Sequence, residues 1–411
     1  MSRILLGWEM GSNLGHLSRL LPLARRLKAH GHSVLVAARD LALAARMLGP
    51  AGIPFVQAPQ MSVAPKPFGQ PASYADLLRY TGWADATQLW GMVQAWVNVL
   101  RLFNPDVVAL DHSPTALLAS RFTAIPRVLV GTGFELPPMK RPLPAFPGFS
   151  GSTAENAARA EAEVLRNANL ALGAGQGAPL QSLSDLFDVE SRWLATFAEL
   201  DHYGARQGER YVGPIGGIED GERLEWAAGP QHRVFAYLRT DTPDLPVILR
   251  SLAASGAAVL CYGPDIPPEL IDPLVGREFV VTRRPVDLPS LLADASLCVS
   301  YSPAGTVAST LLRGVPQLLA PAHLEAQMTA HRVECLGAGL TLRGKSDEQR
   351  VSDALHRLLN SSRFKVQAAA FAAHYRGFDP GHAADNIVED IESLAARRKQ
   401  ATTHTPVRST M

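Results

Sequence analysis

Short apolar runs alternate with amphipathic stretches from the first residues of the chain. Ile4 to Trp8 is an apolar run, and a loop with glycines at 11 and 15 follows it. Leu17, Leu20, Leu21, Ala24 and Leu27 then recur at helical spacing, while Ser18, Arg25, Arg26 and Lys28 fall mostly on other faces. The pattern predicts strand, loop and amphipathic helix. It also places Pro22 near the first turn of that helix, because a proline deeper inside costs a hydrogen bond. Gly31 ends the helix and Ser33 to Ala38 reads as the second strand, which completes one βαβ unit. The alternation continues through a helix at Leu41 to Leu48 and strands at Phe55 to Gln57 and Pro105 to Asp111. A helix at Ala116 to Phe122 and a strand at Arg127 to Gly131 come next. Parallel strands joined by helices make a doubly wound α/β sheet, in which ligands sit at the carboxyl ends of the strands. Gly11 to Gly15 and Asp111 both fall at such ends.

Two segments interrupt this regularity. Met61 to Leu102 carries Phe68, Tyr74, Tyr80, Trp83, Trp90 and Trp96 on helical stretches, and Glu135 to Phe149 is proline-rich, with Phe134, Phe146 and Phe149 in or beside it. Insertions at the ligand edge of a sheet either line a pocket or form a packed helical cap. Tyr211-Val-Gly-Pro-Ile-Gly-Gly217 breaks the pattern again, and the polar stretch from Glu219 to Arg233 marks a domain boundary. Beyond it, Val234 to Leu238, Ala257 to Cys261, Phe279 to Val281, Leu297 to Val299 and Gln317 to Ala320 read as strands of a second α/β domain. Val351 to Leu359 and Ala383 to Arg398 read as helices, and Lys399 to Met411 as a polar, mobile tail.

Composition narrows the functional classes. A chain of 411 residues exceeds the size at which one core stops growing, so two domains are expected. The net charge of +1, from 39 basic and 38 acidic residues, gives no electrostatic case for nucleic acid and favours a small-molecule partner. Cys261, Cys298 and Cys335 are odd in number and widely spaced, as buried thiols of a reducing compartment are. No cleavable signal pattern follows Met1, and no run of about 18 apolar residues spans a membrane. A cytoplasmic protein is the expectation; its oligomeric state is left open.

Candidate chemistry sits at two places. Asp294 to Pro316 reads as a buried strand, a tight loop of small residues at Tyr301-Ser-Pro-Ala-Gly-Thr306, and a helix. The first N–H groups of a helix lack internal partners, and its dipole favours an anion there, so a phosphate would fit. The other reading is a plain structural crossover. His16 stands in a glycine-flanked loop ahead of a helix, where a neutral imidazole can accept a proton near neutral pH. Asp111, at a neighbouring strand end, could accept the imidazole N–H and stabilise the imidazolium, although it could equally cap the helix near Pro114 or pair with His112.

Gly15-His16 with its leucine-rich helix and Gly31-His32-Ser-Val resembles the first βαβ unit of the GT-B glycosyltransferases of family 1, especially the bacterial macrolide and flavonoid type. Asp294 to Gly339, with Gly305-Thr306, Arg313-Gly-Val-Pro316, Pro321 and Leu336-Gly-Ala-Gly339, is similar to their donor-nucleotide signature. Tyr203 to Pro214 looks like the segment that precedes their second domain. The resemblance implies two Rossmann-like doubly wound domains facing a central cleft: an acceptor domain at 1–213, a donor domain at 214–380, and a C-terminal helix from 381 that packs back on the first. It implies an inverting, metal-independent transfer from a nucleoside-diphosphate sugar, UDP or dTDP, to a hydroxyl of a hydrophobic acceptor, without a further cofactor. His16 then matches the base and Asp111 its orienting acid. Arg283 and Val286 match the loop over the nucleotide base, Tyr301, Ser302, Ala304, Gly305 and Thr306 the diphosphate turn, and Glu325 and Gln327 the sugar and ribose contacts. Trp83, Trp90, Phe134 and Phe146 would hold the acceptor.

The chain also departs from that family. Its usual His-Gly-Gly-Ala-Gly-Thr is Tyr301-Ser302-Pro303-Ala304-Gly305-Thr306 here, so a phenol stands for the imidazole and Pro303 removes one N–H. The proline expected three residues after His16 is Arg19, and the glutamine beside Glu325 comes one place late, at Gln327. A non-catalytic relative that binds a nucleotide or a protein, and a sugar-nucleotide epimerase, are the alternatives. Asp40 ends the second strand, where a nicotinamide enzyme keeps its ribose-binding acid, but the Gly11 and Gly15 spacing lacks the dinucleotide pattern.

Overall fold

A computed structural model describes residues 1–12, 14–61, 70–149, 151–216 and 221–403. Backbone packing divides the chain into two compact units: Met1–Phe197 with Arg206–Gly216 and the chain from Asp379, and Ala198–Ala205 with Gly217–Phe378. The first unit runs β1 (Arg3–Trp8), α1 (Gly15–Ala29), β2 (Ser33–Ala38), α2 (Leu41–Leu48), β3 (Phe55–Gln57), α3 (Tyr74–Leu78), α4 (Ala86–Phe103), β4 (Val107–Asp111), α5 (Pro114–Ser120), β5 (Arg127–Gly131), α6 (Ala154–Ala174) and β6 (Ser191–Leu194). Its six strands are parallel in the order β3-β2-β1-β4-β5-β6. Helices cover both faces of such a sheet, so its inner strands are apolar on both sides. Ile4, Leu5 and Leu6 have no exposed surface.

The second unit runs β7 (Arg233–Tyr237), α7 (Leu245–Ala253), β8 (Ala258–Tyr262), α8 (Pro268–Ile271), β9 (Phe279–Thr282), α9 (Leu288–Ala293), β10 (Leu297–Ser300), α10 (Ala304–Leu312), β11 (Gln317–Leu319), α11 (Leu324–Cys335), β12 (Gly339–Thr341), α12 (Glu348–Asn360) and α13 (Ser362–His374). Its parallel order is β12-β11-β10-β7-β8-β9. Each sheet starts in the middle, winds to one edge, then returns to wind to the other. Each therefore has one switch point, between β1 and β4 in the first unit and between β7 and β10 in the second, where a doubly wound sheet opens a ligand crevice.

Several elements differ from the expectations. Pro22 lies in the middle of α1, not its first turn. It leaves the Ser18 carbonyl without a helical donor, and Gly216 packs against that carbonyl so tightly that a Cβ on residue 216 would lie 2.0 Å from its oxygen. The long helix α6 and the short strands β6 and β12 have no clear signature in the hydrophobic pattern. A C-terminal helix, Pro380–Thr403, continues through Lys399 into the stretch expected to be a tail. It packs on α1 within the first unit, where Arg26 Nε donates to Asp385 Oδ1 at 2.6 Å. Phe68, Gly217 and residues 404–411 lie outside the described residues.

Candidate active site

Trp8 and Asp111 end β1 and β4 and are paired in register, which puts both at the first switch point. The chain leaves β1 through a loop and enters α1 at Gly15, so His16 stands in the first turn of that helix. Its imidazole stacks on Trp8 with ring centroids 5.3 Å apart. Nδ1 lies 3.0 Å from Asp111 Oδ1. The carboxylate can only accept, so Nδ1 carries the hydrogen and Nε2 keeps a lone pair. Gly11, with φ +84°, closes on that nitrogen, since a Cβ there would lie 2.2 Å from Nε2. Only glycine tolerates both the contact and the backbone angle.

Arg19, one turn along α1, reaches the same carboxylate oxygen. Its Nη1 is 2.8 Å from Asp111 Oδ1 and 3.5 Å from Glu135 Oε1. Glu135 follows β5, and its Oε2 accepts from the Thr132 backbone N–H and hydroxyl. His112, held at φ +48° just past Asp111, tilts towards both His16 and Tyr74 at 5.9 Å and meets Phe134 edge-on. All five polar side chains are nearly or wholly buried. Asp111 Oδ2 and His112 Nε2 have no hydrogen-bond partner among the described residues. Behind them Glu9, just past the end of β1, accepts from the Thr115 and Ala116 N–H groups and holds the start of α5 against the sheet.

Burial and charge set these groups apart. Burial draws His16 towards its neutral form, but the charge and hydrogen bond of Asp111, with Glu135 behind it, outweigh that and raise its pKa; Arg19 pulls the other way. Burial also draws His112 towards its neutral form, and there it outweighs the charge of Glu135 and pushes the pKa down to about 3. Burial works to raise Glu135, yet the Arg19 guanidinium foremost, with His16 and the hydrogen bond from Thr132, overcomes it and holds the carboxyl well below the usual range. Glu9 is pushed up to about 7 by burial, despite its two N–H bonds. His16, His112 and Glu135 bring ligand atoms within 4.8 Å of one another, a donor set of the kind that binds zinc or iron. The Arg19 guanidinium already supplies the cation at Glu135, and a divalent ion beside it would meet a like charge.

In the second unit, Tyr237 and Ser300 are paired in register at the second switch point. Tyr301 turns away from the helix end: it is buried, its hydroxyl donates to the Tyr237 hydroxyl at 3.3 Å, and its ring meets Tyr237 edge-on at 5.0 Å. Ser302 takes φ +70°, an unusual angle for serine, and its buried Oγ has no partner among the described residues. Pro303 precedes α10, so the free N–H groups of the first turn belong to Ala304, Gly305 and Thr306. Gly305 is exposed, with open space around its Cα. Glu325 stands in the first turn of α11, and the Gln327 N–H bonds the His323 carbonyl. Arg283 is exposed and donates to the Ile266 carbonyl at 2.9 Å, while Val286 is buried in a cluster with Phe235, Leu260 and Leu291.

The aromatic residues divide. Phe134 borders the histidines and stacks on Phe146 at 5.6 Å, although Phe146 itself is wholly buried. Trp83 has no exposed surface, and its indole N–H donates to Thr115 Oγ1. Trp90 packs edge-on against Phe122, apart from the imidazoles. Asp40, the residue considered for a nicotinamide ribose, caps α2 by accepting from the Leu43 N–H at 2.9 Å. Glu135 and His112 join the site without a sequence motif to announce them. The signal available is position alone, since Thr132 to Glu135 directly follows a strand end.

No protein-family model and no curated protein matches the sequence. Solved structures do match in shape. The calicheamicin glycosyltransferase CalG4 superposes with a TM-score of 0.73 at 20% identity, covering 96% of this chain and 99% of that one. Glycosyltransferase VinC in complex with dTDP gives 0.67 at 17%, covering 96% and 100%. The spinosyn rhamnosyltransferase SpnG complexed with spinosyn aglycone gives 0.63 at 19%, covering 94% and 99%. The chain has the GT-B fold of these glycosyltransferases, with two six-stranded parallel sheets.

Proposed function

We propose that the protein is an inverting, metal-independent glycosyltransferase that moves a sugar from a nucleoside-diphosphate sugar, UDP or dTDP, to a hydroxyl of a hydrophobic small-molecule or lipid acceptor in the cytoplasm. The observation that carries this reading is the buried His16–Asp111 pair at the switch point of a GT-B fold. The first unit, residues 1–213 in the main, receives the acceptor, and residues 214–380 the donor. Nε2 of His16 takes the acceptor's hydroxyl proton, and Asp111 stabilises the imidazolium. The acceptor oxygen forms its bond to the anomeric carbon as the bond to the phosphate oxygen breaks. The electron pair leaves with the nucleoside diphosphate, and attack from the opposite face inverts the anomeric centre. The N–H groups of Ala304 to Thr306 meet the leaving charge. The neighbours' bound dTDP and aglycone support this choice of partners.

A second reading has its own support. Tyr301 is turned into a tyrosine cluster and Pro303 lacks an N–H, as in a relative that has given up diphosphate chemistry. Mass spectrometry of incubations with UDP- and dTDP-sugars and a panel of hydroxylated hydrophobic acceptors separates the two. The transferase gives glycosylated product and free nucleoside diphosphate, and the His16→Ala variant gives about 10²–10⁴-fold less. Product from that variant at the parent rate removes His16 as the base.

A further inference from the structure

Asp111 Oδ1 receives two donors, His16 Nδ1 at 3.0 Å and Arg19 Nη1 at 2.8 Å, and Arg19 also faces Glu135 at 3.5 Å. Two buried carboxylates around one imidazole would hold its proton firmly, and a protonated imidazole cannot act as a base. The guanidinium cancels one of the two negative charges and, being charged at every working pH, always does so. We propose that Arg19 and Glu135 are positioning residues of the transfer reaction: Arg19 shares Asp111 with His16 and is held by Glu135, so that the imidazole works against one net negative charge instead of two.

The inference rests on the transfer reading for its purpose, but not for its geometry. The polar groups that face the imidazole are Asp111 from β4, His112 from the turn after it, Glu135 from the loop after β5 and Arg19 from its own helix, while Trp8 of β1 supplies a neutral ring. His112 stays neutral across the working range, so the balance lies with the two carboxylates and the arginine. Each carboxylate has a distinct part. Asp111 fixes the imidazole's orientation. Glu135, anchored by Thr132, fixes the arginine and adds to the field that favours the imidazolium. A single guanidinium nitrogen, Nη1, lies within reach of both carboxylates, and its charge persists at every working pH.

The test is the protonation of His16 itself, followed by NMR of the imidazole Cε1–H signals of the full chain across pH. The His16 signal is assigned as the one lost in His16→Gln. Arg19→Met should move its midpoint to higher pH, Glu135→Gln should move it to lower pH, and Arg19→Lys should leave it nearer the parent. If Arg19→Met does not fold, Arg19→Gln removes the charge while keeping a donor to Asp111. Where turnover is measurable, the acid limb of kcat/KM should follow the same order, with a loss on the order of tenfold at neutral pH for Arg19→Met that recovers as pH rises. A His16 midpoint that stays put in both folded charge-removing variants overturns the proposal. Shifts in the expected directions without any sugar transfer would keep the network and remove the transfer reading instead.

Discussion

The two switch points are built on the same strand order and filled in opposite ways. In the first unit, Asp111, Glu135, Arg19 and His16 form a buried charge network at the ends of β1 and β4. In the second, the ends of β7, β8 and β10 carry Tyr237, Tyr262 and Tyr301, with Tyr237 stacked on Tyr262 at 4.7 Å and burial keeping the phenols neutral. One site holds its chemistry in side chains. The other offers an anion backbone N–H groups, Thr306 and a serine hydroxyl that has no partner among the described residues. A shared topology thus provides two switch points, and side-chain choice fills one with a buried ion-pair network and the other with neutral phenols beside a helix start.

The contrast can be broken most sharply at His16. His16→Ala should lower turnover by about 10²–10⁴-fold while nucleoside-diphosphate affinity, read by calorimetry, stays within about twofold. A matching fall in affinity would mean that the two sites are not separable. Gly11→Ala comes next: the added Cβ meets Nε2 and the residue is forced to hold φ +84°. About a hundredfold loss of kcat/KM is expected from the displaced base, with about 1–2 kcal/mol lost to chemical denaturation of the first unit.

Buried charge should also make the first unit the pH-sensitive one. Glu9 titrates near 7 when folded and near its ordinary value when unfolded, so between those values the folded chain binds the extra proton. Stability then falls as pH rises through that window, by up to about 3 kcal/mol. Glu9→Gln should flatten the slope of Tm against pH, and an unchanged slope would remove Glu9 as its source. In the second unit, Ser302→Gly relieves a left-handed serine and should raise stability by about 1 kcal/mol in urea titrations. Smallest of all, Tyr301→Phe should leave nucleotide affinity within about twofold, because the hydroxyl faces Tyr237. A tenfold loss would show that the phenol does reach the phosphates.

The strands of both sheets are legible because inner parallel strands are continuous apolar runs, as Ile4 to Trp8 and Leu297 to Val299 are. β6 and β12 are not: Ser-Arg-Trp-Leu and Gly-Leu-Thr are too short and mixed to stand out. α6 escapes because alanine, asparagine and glutamate carry much of it, leaving few large apolar residues to mark a stripe. Pro22 is misplaced by local rules, and the residue packed on the Ser18 carbonyl that it frees is Gly216, nearly two hundred residues away in sequence. His16 and Asp111 are legible through a resemblance and their strand-end positions. Arg19 reads only as a departure, since what gives it meaning is contact with Asp111 and Glu135, which no local spacing encodes. Trp83 and Phe146 read as pocket walls and are core, because a large ring fills interior space as readily as it lines a cleft.

For the transfer reaction to run, the second unit must still hold a nucleotide. Calorimetric titration of dTDP and of UDP into the full chain tests this directly. Saturable one-site binding of at least one of them, weakened at least about tenfold when Thr306→Val and Ser302→Ala are combined, is the expected result. Failure of both nucleotides to bind at millimolar concentration would contradict it and leave a GT-B fold with a buried His16–Asp111 pair and no donor to serve.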